Sequence, residues 1–124
     1  MPAIDYALYL VTGRDLLPHN QPFAAILAAT LRSSITLVQL CEKTANTGEF
    51  LTVARETQAI CYMHNVALFI SDRADIVLEV GAAGEHVGQD DMNARDVRKL
   101  LPAGTIVGVS CNSADDMRRT TTLA

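Results

Sequence analysis

Short apolar runs alternate along the chain with longer segments of helical spacing. Five runs rich in β-branched residues predict strands, at residues 6–12, 36–40, 67–71, 85–88 and 105–111. The segments between and after them predict helices, at residues 22–31, 47–63, 73–80, 93–101 and 113–120. This regular alternation of strand and helix predicts a parallel sheet with right-handed crossovers.

The fifth helix has a favourable beginning and an unfavourable end. Ser113 is a good N-cap, and Asp115 and Asp116 place carboxylates at the positive end of the helix dipole. The three consecutive threonines at 120–122 carry no apolar stripe and are β-branched. We therefore expect this helix to fray or to stop early.

Composition and charge favour a single domain and argue against nucleic-acid binding, export and membrane insertion. A chain of 124 residues that is 49% hydrophobic predicts one packed domain, spanning residues 1–124. The net charge of -4 and the lack of a Lys/Arg cluster predict no nucleic-acid partner. No basic leader segment and no run of about 18 apolar residues is present, so we expect neither export nor membrane insertion. Three cysteines without paired spacing predict reduced thiols and a cytoplasmic location.

Two α/β architectures satisfy five parallel units. The length favours an open, doubly wound sheet, whereas a complete (β/α)8 barrel takes about 250 residues. The strand ends favour the barrel: a receiver-type open sheet needs an acidic pair after the first strand and a lysine after the fifth, where this chain has Thr12-Gly13 and Ser110-Cys111. We predict a partial (β/α)8 TIM barrel with about five parallel strands, and a rearranged open doubly wound sheet is the alternative.

Five segments carry a resemblance to a known family. They are residues 9–12 (YLVT), 37–43 (LVQLCEK), 70–75 (ISDRAD), 84–92 (GEHVGQDDM) and 106–110 (IVGVS). At matching positions and in the same order, they resemble the motifs of thiamine-phosphate synthases. Residues 16–18 and 47–50 look most like the fungal form, in which this domain is fused to a thiazole kinase. The resemblance implies that the chain is truncated, with the first five barrel units and without the last three.

The resemblance implies a Mg²⁺-dependent transferase of thiamine biosynthesis. In the family reaction, hydroxymethylpyrimidine pyrophosphate loses pyrophosphate, and a thiazole phosphate captures the resulting cation. Asp72 and Asp91 match the metal-ligand positions, and a parallel barrel would place both at its carboxyl-terminal rim. Lys43 matches a lysine that contacts pyrophosphate, Gln39 a position near the pyrimidine, and Ser71 a substrate-contacting asparagine beside the metal ligand.

The remaining matches include one catalytic candidate and several departures. Ser110 matches a serine close to the reacting groups. Cys41 stands where the family has an arginine that grips pyrophosphate, and a thiol lacks the planar bidentate donors of a guanidinium. Gly13 replaces an aspartate after the first strand. Two hypotheses therefore stay open: a synthase of impaired activity, and a non-catalytic remnant that acts by binding or self-assembly.

Two structural expectations follow from the same comparison. Glu85 occupies a strand position that is apolar in the family, so we expect it to be either exposed to solvent or paired with a cation. A sheet of five strands would leave unpaired edges at the first and fifth strands, which predicts a homo-oligomer.

Overall fold

One parallel sheet organises the protein, as seen in a computed structural model that describes residues 3–18 and 21–123. Its strands are β1 (Tyr9–Thr12), β2 (Leu37–Leu40), β3 (Ala67–Ser71), β4 (Gly84–Val87) and β5 (Ile106–Val109). They lie side by side in chain order, and every neighbouring pair is parallel. A doubly wound sheet reverses its strand order at a switch point, and this sheet does not. The predicted partial barrel is therefore confirmed, and the ring is not closed within the described residues.

Five α-helices follow the strands in turn. They are α1 (Phe23–Thr30), α2 (Thr47–Met63), α3 (Ala74–Val80), α4 (Ala94–Leu100) and α5 (Ala114–Leu123). The side chains of Asn46 and Asn93 cap α2 and α4 by accepting hydrogen bonds from the third residue beyond each. No helix in the described ranges is both long and apolar enough to cross a membrane.

The two faces of the sheet have different coverings. One face packs under the helices, and its core includes Val38, Leu40, Leu68, Ile70, Val87 and, from the helices, Phe50, Val53 and Val97. The other face carries a smaller cluster built around Leu37, Phe69 and Ala83. Because side chains alternate along a strand, each strand contributes to both faces, and polar residues near the strand ends reach the rim.

The last helix is longer than its sequence predicts. α5 continues through the three threonines to Leu123, so the expectation of an early stop was wrong. Thr121 Oγ1 donates to the Met117 carbonyl over 2.8 Å, and Thr122 Oγ1 donates to the Arg119 carbonyl over 2.7 Å. Arg95 donates to the carbonyl of Thr122, near the end of the helix, over 2.9 Å. These hydrogen bonds satisfy the threonine hydroxyls and backbone carbonyls near the end of the helix, so α5 continues without an apolar stripe.

Glu85 contradicts the expectation that it would be exposed or paired. Its residue is 1% exposed, and its Oε1 is buried without a hydrogen-bond partner. In the sheet register Glu85 lies between Ile70 and Val107, so its side chain shares the helix-covered face with these apolar neighbours. The prediction was wrong because the strand register places this position under the helices whatever residue occupies it.

The burial of Glu85 changes its acidity. Loss of hydration, aided by the negative charges of Asp72, Asp75 and Asp91, raises the pKa of Glu85 from 4.5 to about 7. The carboxyl group therefore binds a proton in the folded protein over a pH range in which it would be ionised in the unfolded chain.

Gly13, one of the departures from the family pattern, makes a close approach between two loops. A Cβ atom at this position would lie 1.9 Å from the Cys41 carbonyl oxygen. We expect Gly13→Ala to lower the free energy of unfolding by about 2 kcal/mol, because the Cys41 backbone would have to move. Urea denaturation measures the change. Gly104→Ala is the matched control, since no atom beyond the adjacent residues lies within 4 Å of its added Cβ, and equal losses in both variants would contradict the steric argument.

Candidate active site

A cavity opens where β2, β3 and β4 end. Its volume is about 540 Å³. Lys43 from the loop after β2, Ser71 and Asp72 from the end of β3, and Asp91 from the loop after β4 all contribute to its wall. Parallel strands bring their carboxyl ends to one rim, and this rim is where barrels and other parallel α/β folds place their binding sites.

Asp72 and Asp91 form the acidic side of the cavity. Partial loss of hydration raises the pKa of Asp72, and its hydrogen bond to Asp91 and the charge of that carboxylate add to the effect, whereas Arg73 opposes it. The amide of Gly88 donates to Asp91 Oδ2 over 2.7 Å, and the amide of Asp72 donates to the carbonyl of His86 over 2.9 Å. Two carboxylates that face each other in this way would each gain from a bound cation.

These donors fit magnesium better than zinc. Within residues 3–18 and 21–123, no three His, Cys, Asp or Glu side chains converge on one point, as a structural or catalytic zinc site would require. Mg²⁺ takes hard oxygen ligands, and in phosphate-transferring sites one or two carboxylates suffice because substrate phosphates and water complete the shell. Asp72 and Asp91 supply such a pair.

Two cationic side chains, Arg73 and Lys43, lie in the cavity wall, and they differ in whether other side chains already bind them. Arg73 donates to both oxygens of Asp75 over 3.0 and 2.7 Å and to Thr47 Oγ1 over 2.9 Å, and its guanidinium stacks 5.6 Å from the Phe50 ring centroid. Lys43 is exposed and makes no ion pair within the described part of the chain. The positive charge that can meet an anion in this cavity is therefore that of Lys43.

Ser110 does not line this cavity, and its amide, carbonyl and hydroxyl groups each have a hydrogen-bond partner. Its amide donates to the Val87 carbonyl over 3.0 Å, and its carbonyl accepts from Gln89 Nε2 over 2.8 Å. Its hydroxyl lies 2.7 Å from His86 Nε2. The imidazole fits because residue 108 is glycine, where a Cβ would come within 2.7 Å of His86 Nδ1.

The His86 partner of Ser110 is a contact that the sequence reasoning missed. Burial lowers the pKa of His86, with the Asp91 carboxylate acting in the opposite direction, so the ring is neutral at neutral pH. A neutral imidazole orients the Ser110 hydroxyl without adding charge. The strand register does hold a signal, since His86 pairs with Gly108 on the neighbouring strand, two residues before the serine.

Gln39, a predicted substrate contact, and Cys41, which stands where the family has an arginine, do not line the cavity. Gln39 is 5% exposed and lies between Val11 and Phe69 in the register, on the sheet face that carries the Phe69 cluster. Cys41 follows β2 directly, is half-buried, and has a free thiol. Its amide donates to the Thr12 carbonyl over 2.7 Å, which continues the strand pairing by one residue.

Comparison with known proteins decides the family. The family described as thiamine monophosphate synthase matches residues 8–124. The chain belongs to this family. The resemblance that rested on five short motifs therefore extends over nearly the whole sequence.

Similar members of the thiamine monophosphate synthase family come from fungi and from clostridia. The chain is 42% identical over 114 residues to the thiamine biosynthetic bifunctional enzyme of Saccharomyces cerevisiae, which covers 92% of this chain and 21% of that protein. It is 41% identical over 113 residues to the thiamine-phosphate synthase of Clostridium tetani, covering 91% of this chain and 54% of that protein. The chain thus spans about half the length of the single-function relatives it matches.

A solved structure supports the same membership of the thiamine monophosphate synthase family. The thiamine phosphate pyrophosphorylase from Pyrococcus furiosus superposes with a TM-score of 0.83 at 25% sequence identity. The match covers 94% of this chain and 55% of that one. The strand order described above is therefore the order of a family member.

Proposed function

We propose that the chain provides the metal and pyrophosphate half of a thiamine-phosphate synthase site. The reaction would couple hydroxymethylpyrimidine pyrophosphate with thiazole phosphate and release thiamine phosphate and pyrophosphate. The observation that carries the proposal is the presence of Asp72, Asp91 and Lys43 around one cavity. The names of the relatives support the choice of substrates, and the three free cysteines are compatible with a cytoplasmic enzyme.

Four residues of the cavity wall have a direct role in this proposal. Asp72 and Asp91 hold Mg²⁺, which when bound supplies positive charge to a leaving pyrophosphate. Lys43 contacts the same pyrophosphate with its ammonium group, and Ser71 donates a hydrogen bond to the substrate. Fixed donors of this kind act by stabilising charge that develops as the leaving group departs.

The sheet face that carries Phe69 and Gln39 would receive the pyrimidine. Gln39 presents an amide there, and Ser110 is the catalytic candidate beside the reacting groups. His86 holds the Ser110 hydroxyl in one orientation, which favours a defined hydrogen bond to the substrate over a mobile one.

A second candidate function is a non-catalytic protein that binds or self-assembles. Cys41 favours it, because the position offers no guanidinium to a pyrophosphate and activity would be impaired. The apolar side chains of Tyr6, Leu8 and Val11 are about half exposed at or next to the unpaired edge of β1, which favours a homo-oligomer.

The test combines catalysis and binding. We expect the chain with both substrates and Mg²⁺ to form thiamine phosphate above background, and Asp72→Asn to lose it. In calorimetry, Asp72→Asn should weaken Mg²⁺-dependent pyrophosphate binding about tenfold, the value of one charge-assisted contact. Asp96→Asn, the same change on the exposed face of α4, is the control.

The outcomes separate the two candidates. Binding of pyrophosphate without product would limit the chain to the ligand-holding half of the site. No product and no binding, together with a stable oligomer in light scattering, would replace the enzyme proposal by the second candidate.

A further inference from the structure

The loop that carries Lys43 has no regular secondary structure of its own. Residues 41–46 join β2 to α2 and belong to neither a helix nor a strand. A lysine on such a loop can meet an anion in a defined place only if the loop is fixed by tertiary contacts.

The contacts that hold the first part of this loop come from the last residue of β1 and from the loop that follows it. The amide of Cys41 donates to the Thr12 carbonyl over 2.7 Å. The hydroxyl of Thr44 donates to Asp15 Oδ2 over 3.0 Å. Lys43 lies between these two anchors, so the position of its backbone depends on the neighbouring loop.

The strongest of these contacts is made by Glu42, the residue directly before Lys43. The Glu42 side chain is 2% exposed, and both of its oxygens are bound by one residue. Arg14 Nε donates to Oε1, and the Arg14 amide donates to Oε2 over 2.7 Å. Arg14 also reaches towards Glu49 at the start of α2, with 3.8 Å between Nη2 and Oε2.

Arg14 does not itself line the cavity, whereas Glu42 and Lys43 do. The guanidinium is committed to carboxylates, so it cannot take the place of the arginine that Cys41 replaces. Gly13 brings the two loops together, because any side chain there would collide with the Cys41 carbonyl. Arg14 therefore acts through another residue and does not act on a ligand.

We propose that Arg14 and Glu42 form a clamp that positions Lys43 for pyrophosphate, and this role rests on the function proposed above for Lys43. The clamp joins the loop after β1 to the loop after β2, and Arg14 also approaches Glu49 in α2. The cation side of the cavity is held separately, by the Gly88 amide on Asp91 and by the His86 carbonyl on the Asp72 amide. The clamp thus governs affinity for the anion and leaves affinity for the cation unchanged.

The test removes both members of the clamp together. Arg14→Met/Glu42→Met avoids leaving a buried carboxylate unpaired, and Glu42→Gln is the milder variant if the double variant does not fold. Arg55→Met/Glu79→Met is the matched control, since it removes the same two residue types from an exposed pair with 3.7 Å between its charged atoms. Calorimetry with inorganic pyrophosphate at saturating Mg²⁺, and with Mg²⁺ alone, gives the two affinities.

We expect the clamp variant to bind pyrophosphate about tenfold more weakly, with Mg²⁺ affinity and the control variant unchanged. In a Lys43→Met background, removal of the clamp should cause less than a further twofold loss, because the two changes act on one contact. Faster hydrogen exchange at the Cys41 amide should accompany the loss. This last readout does not depend on any ligand.

Three results would overturn the clamp. They are an unchanged pyrophosphate affinity, an equal loss in the Lys43→Met background, and a parallel loss of Mg²⁺ affinity that indicates general disruption. If the unaltered chain binds no pyrophosphate, the proposed function fails and the positioning role fails with it. Normal binding with an additive loss would overturn the clamp alone.

Discussion

Glu85→Leu is expected to raise the free energy of unfolding by about 3 kcal/mol at pH 8. The reason is the buried carboxyl group, whose pKa rises from 4.5 to about 7 on folding. At pH 8 the folded protein must hold an ionised group among apolar neighbours, whereas the unfolded chain exposes it to water. Leucine has a similar size and removes both the charge and the unpartnered oxygen.

The pH dependence gives this prediction a sign that can be checked. A carboxyl group whose pKa is higher in the folded state favours folding at low pH, and this advantage is lost as the pH rises from 4.5 to about 7. Relative to Glu85→Gln, the unaltered protein should lose about 2.5 kcal/mol of stability between pH 5 and pH 8.

Urea denaturation at several pH values measures both effects. Glu56→Leu, on the exposed face of α2, is the control and should change stability by less than about 0.5 kcal/mol. A pH profile of Glu85→Gln that parallels that of the unaltered protein would show that Glu85 is not the titrating group.

Cys41→Arg is expected to tighten pyrophosphate binding by about 10- to 150-fold, the range for one strong charge-assisted contact. The position follows β2 directly and lies two residues before Lys43. A guanidinium there can bind two phosphate oxygens at once, which neither a thiol nor a single ammonium group can do.

Calorimetry with pyrophosphate and Mg²⁺ tests the restored contact. Cys41→Lys is the matched control, since it adds the same charge without the planar donor geometry and should gain less. Equal affinity in the cysteine and arginine forms would show that position 41 does not face the anion in this chain.

The sequence predicts most of the fold because the fold depends on local, periodic signals. Apolar runs with β-branched residues coincide with the five strands to within a few residues. The errors at Glu85 and at the threonines of α5 both arise because the expectation rested on local preference alone. A carboxyl group disfavours a buried strand position, but the sheet register buries Glu85. β-branched residues disfavour a helix, but hydrogen bonds to backbone carbonyls accommodate the threonines in α5.

The sequence was sufficient to predict the part of the candidate site that lies at the strand ends. Asp72 and Asp91 follow consecutive parallel strands, so their meeting at one rim follows from topology. The contacts of Arg14 with Glu42 and of His86 with Ser110 join residues 28 and 24 positions apart. No periodic pattern marks such pairs, because each depends on how two particular loops or strand ends approach.

The backbone of Asp72 has a φ of 62°, in the left-handed region that few side chains adopt without strain. Asparagine, aspartate and glycine are the residues that enter this region at low cost. Aspartate at position 72 therefore meets two requirements. The backbone requires a residue that tolerates a positive φ, which all three residues do, and the proposed Mg²⁺ site requires a negative charge, which aspartate alone of the three supplies. A library randomised at this codon could be sorted first for solubility and then for metal affinity. The first sort should keep asparagine, aspartate and glycine, and the second should keep aspartate.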